Sequence, residues 1–550
     1  MVIDGYESGS DITIMNTFYS FPTRDPETNK KINDVLAIIF KDNKTGVKSY
    51  RLIEKPNYTF YMLNDGEVVP DHPLFFIDKK KLHPVTVPYC EIDKHIAQLT
   101  DKMDFYNENI QNRNRYENKK LHVDPRIFYS DVNIEDHYRF LFSKEYTNNI
   151  SKINKAFYDI ECDTKYMAGD FVESGECPIN CLSMLDERAN KSFTFILRDS
   201  RNPLIALFEE KVKSGLFSQK RIHDFVTENV GGWKQAKRMG LDTLEFKLMF
   251  FDDELEMIQT FFQLVHQLSP DFIEGWNCSS FDLQYFIDRI YRLGREPAEI
   301  MCDPTWNFRM VKNFIDQRNI NEFAERGDYA IISGLPVWLD QMIQFASRRK
   351  SKIGSFSSFK LDDIGWDVAK VRKLSYAHIT SDLSQLPYLD FETFVLYNIM
   401  DVIVQKCIEM KSQDLEYLFS KCIVNNTVYR KGHRQTIYLI NRMALEFDKL
   451  GFIIGNNVNR WNQKPEKFLG ALVGNPENVN DYAKLRIDGR SIMVGDNVVD
   501  SDFKSLYPSL MDENNIAPNT QIGRIDIPEK VYVNENVYNI DRVYRKYGYR

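Results

Sequence analysis

The chain has 550 residues, 43% of them hydrophobic and 13% aromatic. That is enough apolar material for several cores, so three or four domains are expected. The net charge of −8 argues against a protein that mainly coats nucleic acid, while leaving room for an enzyme that binds it along local basic strips. No apolar run approaches membrane-spanning length and the start Met-Val-Ile-Asp-Gly does not read as a signal peptide, so no membrane partner and a cytoplasmic location are expected.

In chain order, the first 150 or so residues mix short strand-like runs, Val35 to Phe40 and Tyr58 to Met62, with polar connections, among them an Asn/Arg/Lys-rich stretch over 107–120. From about 151 strands alternate with amphipathic helices. Ala156-Phe157-Tyr158 leads into Asp159 as a buried strand. Leu255, Ile258, Phe262, Val265 and Leu268 recur at helical spacing, and Ser269-Pro270 should end that helix. Phe272 to Trp276 reads as the next strand, and Leu283, Phe286, Ile287 and Ile290 mark a second helix that closes at Gly294. This alternation indicates an α/β domain. Beyond about 411 the chain is strongly helical to Leu450, and a polar stretch over 451–480 leads into a strand before Asp502. Cys177 and Cys181, the close pair among eight cysteines, lack a second pair or a nearby His to complete a zinc set.

Asp159 and Glu161 form a D-x-E at the end of a strand, where alternation turns both carboxylates to one side. Bare acids beside an apolar strand are costly unless metal or donors compensate them. Two other such pairs, Asp252/Glu254 and Asp390/Glu392, fall at helix starts, where acids favour the dipole. Asn277-Cys278-Ser279-Ser280-Phe281-Asp282 follows a strand and opens a helix; taken alone it equally fits capping by Ser279 or Ser280. In Tyr397-Asn398-Ile399-Met400-Asp401, Tyr397 and Asp401 share a helix face, and an Asp amid apolar neighbours is either a satisfied core acid or a ligand. Basic strips occur at Lys79 to Lys81, at Arg113, Arg115, Lys119 and Lys120, and at Arg348 to Lys350 with Lys352; singly, each reads best as a solvated face.

In their order along the chain, D-I-E, N-x3-F-D and Y-N-x2-D resemble the three motifs of DnaQ-like 3′–5′ exonucleases. The resemblance implies an RNase H-like domain in which Asp159, Glu161, Asp282 and Asp401 hold two Mg2+ or Mn2+ ions and Tyr397 orients the attacking water. Leu396 stands where the histidine subtype carries its His one residue earlier, which implies the tyrosine subtype. Asp502-Phe503-Lys504-Ser505-Leu506-Tyr507-Pro508-Ser509 resembles motif A of the family B DNA polymerases, and exonuclease motifs followed by motif A is the order of their proofreading members. Ile127 to Asp131, Ser358 to Ile364 with Lys373 to Tyr376, and Phe468-Leu469-Gly470-Ala471-Leu472-Val473 extend the resemblance, nearest to the T4-like bacteriophage replicative polymerases.

That family resemblance implies an N-terminal domain over 1–150 completed by about 415–465, an exonuclease over 151–414 and the start of a polymerase palm over 466–550. Residues 309–331 occupy the place of a strand-separating hairpin. Asp502 would bind the polymerase metals, two ions once that site is complete, and Phe503 would give its carbonyl. Ser505 and Leu506 amides would face a dNTP, with Tyr507 under its sugar. The tight Ser-Leu-Tyr-Pro turn suits that role. Asn277, Phe281, Gly470 and Ala471 would touch DNA. Neither K-x3-N-S-x-Y-G nor D-T-D-S occurs, so fingers, motif C and thumb are expected from a second polypeptide or a missing C-terminal half. A sliding clamp and a single-strand-binding protein are further implied partners. The other readings are a stand-alone exonuclease with a vestigial motif A, or a nucleic-acid-binding regulatory module.

Overall fold

The computed structural model describes residues 3–24, 31–71, 73–166, 173–317, 322–350, 356, 358–432, 434–456, 484–487, 490–493, 506–514, 530–533 and 536–539. The chain divides into two compact units, residues 1–465 and 466–550.

The N-terminal part of the first unit is built on antiparallel sheets. Ile12–Ser20, Val35–Asp42 and Lys48–Glu54 form one, and Asn57–Leu63 lies between Leu82–Pro88 and Ile127–Phe128 in the other. Both strands read from the sequence are therefore present, each slightly longer than its apolar run. The polar stretch over 107–120 is not a plain connection. It holds the end of helix Met103–Gln111 and most of the 3-10 segment Arg115–Val123. Asn109 donates to Asn118 Oδ1 at 2.9 Å in the interior, so polar side chains satisfy one another and hide the helical order from a hydrophobicity pattern. After the α/β sheet the chain returns to this region. Leu415, Phe419 and Cys422 of helix Asp414–Val424 enter the core of Phe18, Ile38 and Phe60, and Phe452–Ile454 pairs antiparallel with Phe76–Asp78.

The α/β part supplies strands Lys155–Cys162 (β1), Ile179–Asp186 (β2), Lys191–Leu197 (β3) and Glu245–Phe251 (β4). Helix Glu254–Leu268 (α1), strand Phe272–Gly275 (β5), helix Asp282–Arg292 (α2), strand Val337–Asp340 (β6) and helix Phe391–Ser412 (α3) follow. The sheet order is β4-β3-β2-β1-β5-β6. β1–β2 and β2–β3 are antiparallel and the other pairs parallel, which makes the sheet mixed. α1 stops at Ser269 in the left-handed region, before Pro270, as the sequence requires.

β1 is central, and its alternation decides what each face receives. Ala156, Tyr158 and Ile160 enter the core made with α1 and α2, while Phe157 enters the core under α3. Asp159 and Glu161 share the face of Phe157. α3 runs antiparallel along that face. Glu409 reaches Lys155 Nζ at 3.5 Å, Gln405 Nε2 donates to Tyr158 O at 3.2 Å, and Asn398 Nδ2 donates to Asp159 Oδ2 at 3.0 Å. Asn398, Asp401, Gln405 and Glu409 recur at helical spacing, giving this long buried helix a polar seam aimed at β1.

In the second unit the described elements are the hairpins Lys484–Ile487/Arg490–Met493 and Lys530–Val533/Asn536–Asn539, and the helix Leu506–Glu513. Leu506 and Tyr507 thus open a helix instead of forming the tight turn expected of Ser-Leu-Tyr-Pro. Pro508 is compatible with this because the amides of a first helical turn have no partner to lose. Asp502, Phe503, Ser505, Gly470 and Ala471 lie outside the described residues.

Candidate active site

Three of the sequence-derived acids converge. Carboxylate oxygens of Asp159 and Glu161 on β1 and Asp401 on α3 all lie within 4.8 Å of one another. Asp282 stands beside them, at the start of α2, and its Oδ1 accepts from the Ile160 amide at 3.2 Å. The turn that delivers it is sterically specified. A Cβ at Gly275 would lie 2.6 Å from Cys278 Cβ and 3.0 Å from the Tyr158 ring, so only glycine fits there. Asn277 follows with φ 58°. Neither Ser279 nor Ser280 caps α2. The Ser279 amide donates to Asp340 Oδ2 at 3.0 Å, its carbonyl accepts from Asn313 at 2.8 Å, and Ser280 Oγ meets Arg326. The serines tie the turn down, and Asp282 itself turns toward β1.

Among the described residues Lys373 is the cation that meets these acids. Its Nζ is 2.6 Å from Asp401 Oδ2 and 4.4 Å from the centre of the Tyr397 ring, against which Tyr376 packs edge-on at 5.5 Å. Asp401 is 1% exposed, and among the described residues its Oδ1 has no hydrogen-bond partner. Asn398 anchors Asp159 and in turn accepts from Cys181 Sγ at 3.5 Å.

One basic residue cannot balance four acids. Burial pushes Glu161 up to about 8, with Lys373 offsetting part and Asp401 and Asp282 adding to the rise. Burial likewise raises Asp282 to about 7 and Asp401 to about 6. Asp159 is held well above its ordinary range by burial, then by Asp401, Asp282 and Glu161. Burial opposes the Lys373 charge, but Asp401 and its neighbours outweigh that and keep the ammonium protonated. Burial also raises Tyr397, so it keeps its phenolic proton.

The family DNA polymerase family B, exonuclease domain, matches residues 69–364, more than half of the chain. The chain belongs to the family B DNA polymerases. Among curated relatives, the DNA-directed DNA polymerase of Escherichia phage RB69 is 23% identical over 414 residues, 73% of this chain and 39% of that protein. The DNA-directed DNA polymerase of Enterobacteria phage T4 is 22% identical over 370 residues, 66% of this chain and 36% of that protein. The DNA polymerase zeta catalytic subunit of Saccharomyces cerevisiae is 23% identical over 301 residues, 51% of this chain and 18% of that protein. The chain therefore spans about two fifths of the length of the phage relatives it matches. Its mixed sheet, with helices on both faces, accords with the RNase H-like fold expected of the family's exonuclease domain.

The family match covers Asp159, Glu161 and Asp282 and ends before Tyr397 and Asp401, which folding adds. Two residues of the site were not singled out for a role in the sequence. Asn398 lies inside Y-N-x2-D, where its burial in an apolar helix was a usable signal. Lys373 was seen only within the segment Lys373 to Tyr376 that extends the resemblance, and its partner Asp401 is far along the chain. Phe281 is 46% exposed, 5.5 Å from the Tyr285 ring, at the turn that also holds Asn277. Val311–Phe314 and Tyr329–Ile332 pair antiparallel, within and just beyond residues 309–331. Most cations of the basic strips are neutralised. Arg348 and Arg349 both pair with Asp414 at 2.9 and 2.7 Å, Lys350 meets Glu325, Lys79 meets Asp448 and Lys119 meets Asp93.

Proposed function

We propose that this chain carries a 3′–5′ exonuclease that removes nucleotides from the 3′ end of DNA, within the N-terminal part of a T4-like family B polymerase. The observation that carries the reading is the convergence of Asp159, Glu161 and Asp401, with Asp282 beside them and one buried Asp401 oxygen unpartnered. Hard oxygen donors carrying more negative charge than Lys373 balances fit divalent cations such as Mg2+ or Mn2+. Bound there, a pair of such cations would supply charge neutralisation and an acidified water at the scissile phosphate.

The protein's own groups set the stage. Asp159, Glu161, Asp282 and Asp401 would hold the cations, Asn398 fixes Asp159, and Lys373 fixes Asp401. Tyr397, protonated and steadied by Lys373 and Tyr376, presents an O–H donor to a water or phosphate oxygen. Phe281 offers an exposed ring on which a terminal base can stack. Asn277 holds the backbone turn behind it.

The shared core and the Phe452–Ile454 pairing support a domain of residues 1–150 completed by about 415–465, around an exonuclease of 151–414. Residues 466–550 would begin the palm. There Asp502 and Phe503 would hold metal, Ser505, Leu506 and Tyr507 would meet a dNTP, and Gly470 and Ala471 would contact the primer. Nucleotide addition would also draw on a carboxylate and fingers outside this sequence, and a sliding clamp and single-strand-binding protein would act on the assembled enzyme. A 5′-labelled single-stranded oligonucleotide in Mg2+ tests the proposal. Stepwise shortening from a free 3′ end, stopped by a 3′ block, is expected; internal cuts or no cleavage would contradict it.

A further inference from the structure

Folding assembles a basic and aromatic surface that no run of the sequence displays. Helix Leu361–Ile364 continues into a π-helical turn, Gly365–Ala369, followed by Lys370 in the left-handed region at φ 58°. The turn is seated firmly, because a Cβ at Gly365 would lie 2.6 Å from Val404 on α3 and Ala369 is buried. Trp366 is nevertheless 44% exposed. Lys370 Nζ sits 5.3 Å and Arg372 Cζ 4.9 Å from its ring centre. The helix Trp233–Arg238 is tied to the same turn by Gln235 Nε2, which donates to Ala369 O at 3.2 Å. Lys234 and Arg238, four apart beside Gln235, are both exposed.

Charge distinguishes this surface from the basic strips of the sequence. Among the described residues Lys234, Arg238 and Lys370 meet no carboxylate, and Arg372 meets only the half-exposed Asp362. Lone exposed rings need no explanation. A ring flanked by two cations, one of them, Lys370, unpaired among the described residues, does need one on a chain of net charge −8, even with Asp362, Asp363 and Asp367 on the same turn. The surface is also joined to the carboxylate site. Asp362 Oδ2 accepts from Arg372 and Oδ1 from the Lys373 amide at 2.8 Å, and the Lys373 ammonium holds Asp401.

We propose that Trp366, Lys370 and Arg372, with Lys234 and Arg238, form a binding surface for single-stranded DNA. Trp366 stacks on a base and the cations pair with neighbouring phosphates, upstream of the 3′ end held at the carboxylates. A π-face between cations takes any base, so binding is independent of sequence. The direction of the strand rests on the nuclease reading; the binding surface itself does not.

The test is anisotropy of fluorescein-labelled dT12 with the full chain in EDTA. Trp366→Ala should raise Kd about tenfold, and Trp366→Phe should recover most of the loss. Lys370→Gln with Arg372→Gln should flatten the salt dependence by about 1.4 in slope, at about 0.7 per phosphate contact. In Mg2+, Trp366→Ala should raise KM for dT12 about tenfold. Unchanged Kd in Trp366→Ala, or an unchanged salt slope in the double variant, overturns the proposal. A wild-type chain that binds dT12 through Trp366 yet hydrolyses nothing overturns the nuclease reading alone.

Discussion

Consider titrating the metal-free protein with Mg2+ at pH 6.5. Glu161 lies near 8, Asp282 near 7 and Asp401 near 6, all raised by burial. At that pH Glu161 is mostly protonated and Asp282 and Asp401 partly so, together about two protons, and Asp159, also held well above its ordinary range, adds to them. The acids repel one another, and the count belongs to the cluster and not to any one residue. Carboxylates coordinate as anions, so Mg2+ binding should expel two or more protons per chain, Asp159 adding to those of the other three, and apparent affinity should climb with pH. Calorimetry in two buffers of different ionisation enthalpy, Pipes and Bis-Tris, measures that number directly. Two or more is expected at pH 6.5, and fewer at pH 7.2 in the same buffers. Asp282→Asn should lower the count by nearly one. Heats that do not depend on the buffer at pH 6.5 would refute the reasoning, because the acids would then be ionised before metal arrives.

The same shifts fix the pH dependence of stability. Raised carboxyl values mean the folded, metal-free protein binds the extra protons, so stability from these groups is fully present below about pH 4 and is lost as pH rises through about 8. Melting of the EDTA-treated protein should therefore fall between pH 5.5 and 8.5, and Mn2+ should reverse the fall. Lys373→Met strips buried Asp401 of its cation and should cost about 2–4 kcal/mol without metal, read by denaturant unfolding at pH 8. Adding Asp401→Asn should recover most of that loss; failure to recover it would mean Lys373 acts elsewhere. Gly275→Ala forces a Cβ against Cys278 and the Tyr158 ring and should cost about 1–3 kcal/mol, with a parallel drop in nuclease rate as Asp282 shifts.

Local patterns made the strands, the helix ends and the paired acids of β1 legible, because each rests on alternation or helical spacing within a few residues. Pro270 and Gly294 punctuated the chain where the sequence said. The stretch over 107–120 was misread because its order depends on Asn109 meeting Asn118, a polar contact that a hydrophobic pattern does not register. Ser279 and Ser280 looked like caps since their partners, Asp340, Asn313 and Arg326, arrive from a distant segment. Lys373 was read only as part of a segment that extends the family resemblance, and its pairing with Asp401 stayed hidden for the same reason. The basic strips were visible as charge, but the acids that neutralise them were not. Around Trp366, Lys234 and Arg238 come from a separate segment and join Lys370 and Arg372 only through the fold.

The central claim is that these four carboxylates perform 3′ excision. The measurement closest to it compares wild type with Asp159→Ala/Glu161→Ala on 5′-labelled single-stranded DNA in Mg2+, with circular dichroism as the check on folding. Wild type should give a 3′-to-5′ ladder, and the folded double variant should leave the DNA intact. Cleavage that persists in that variant would contradict it.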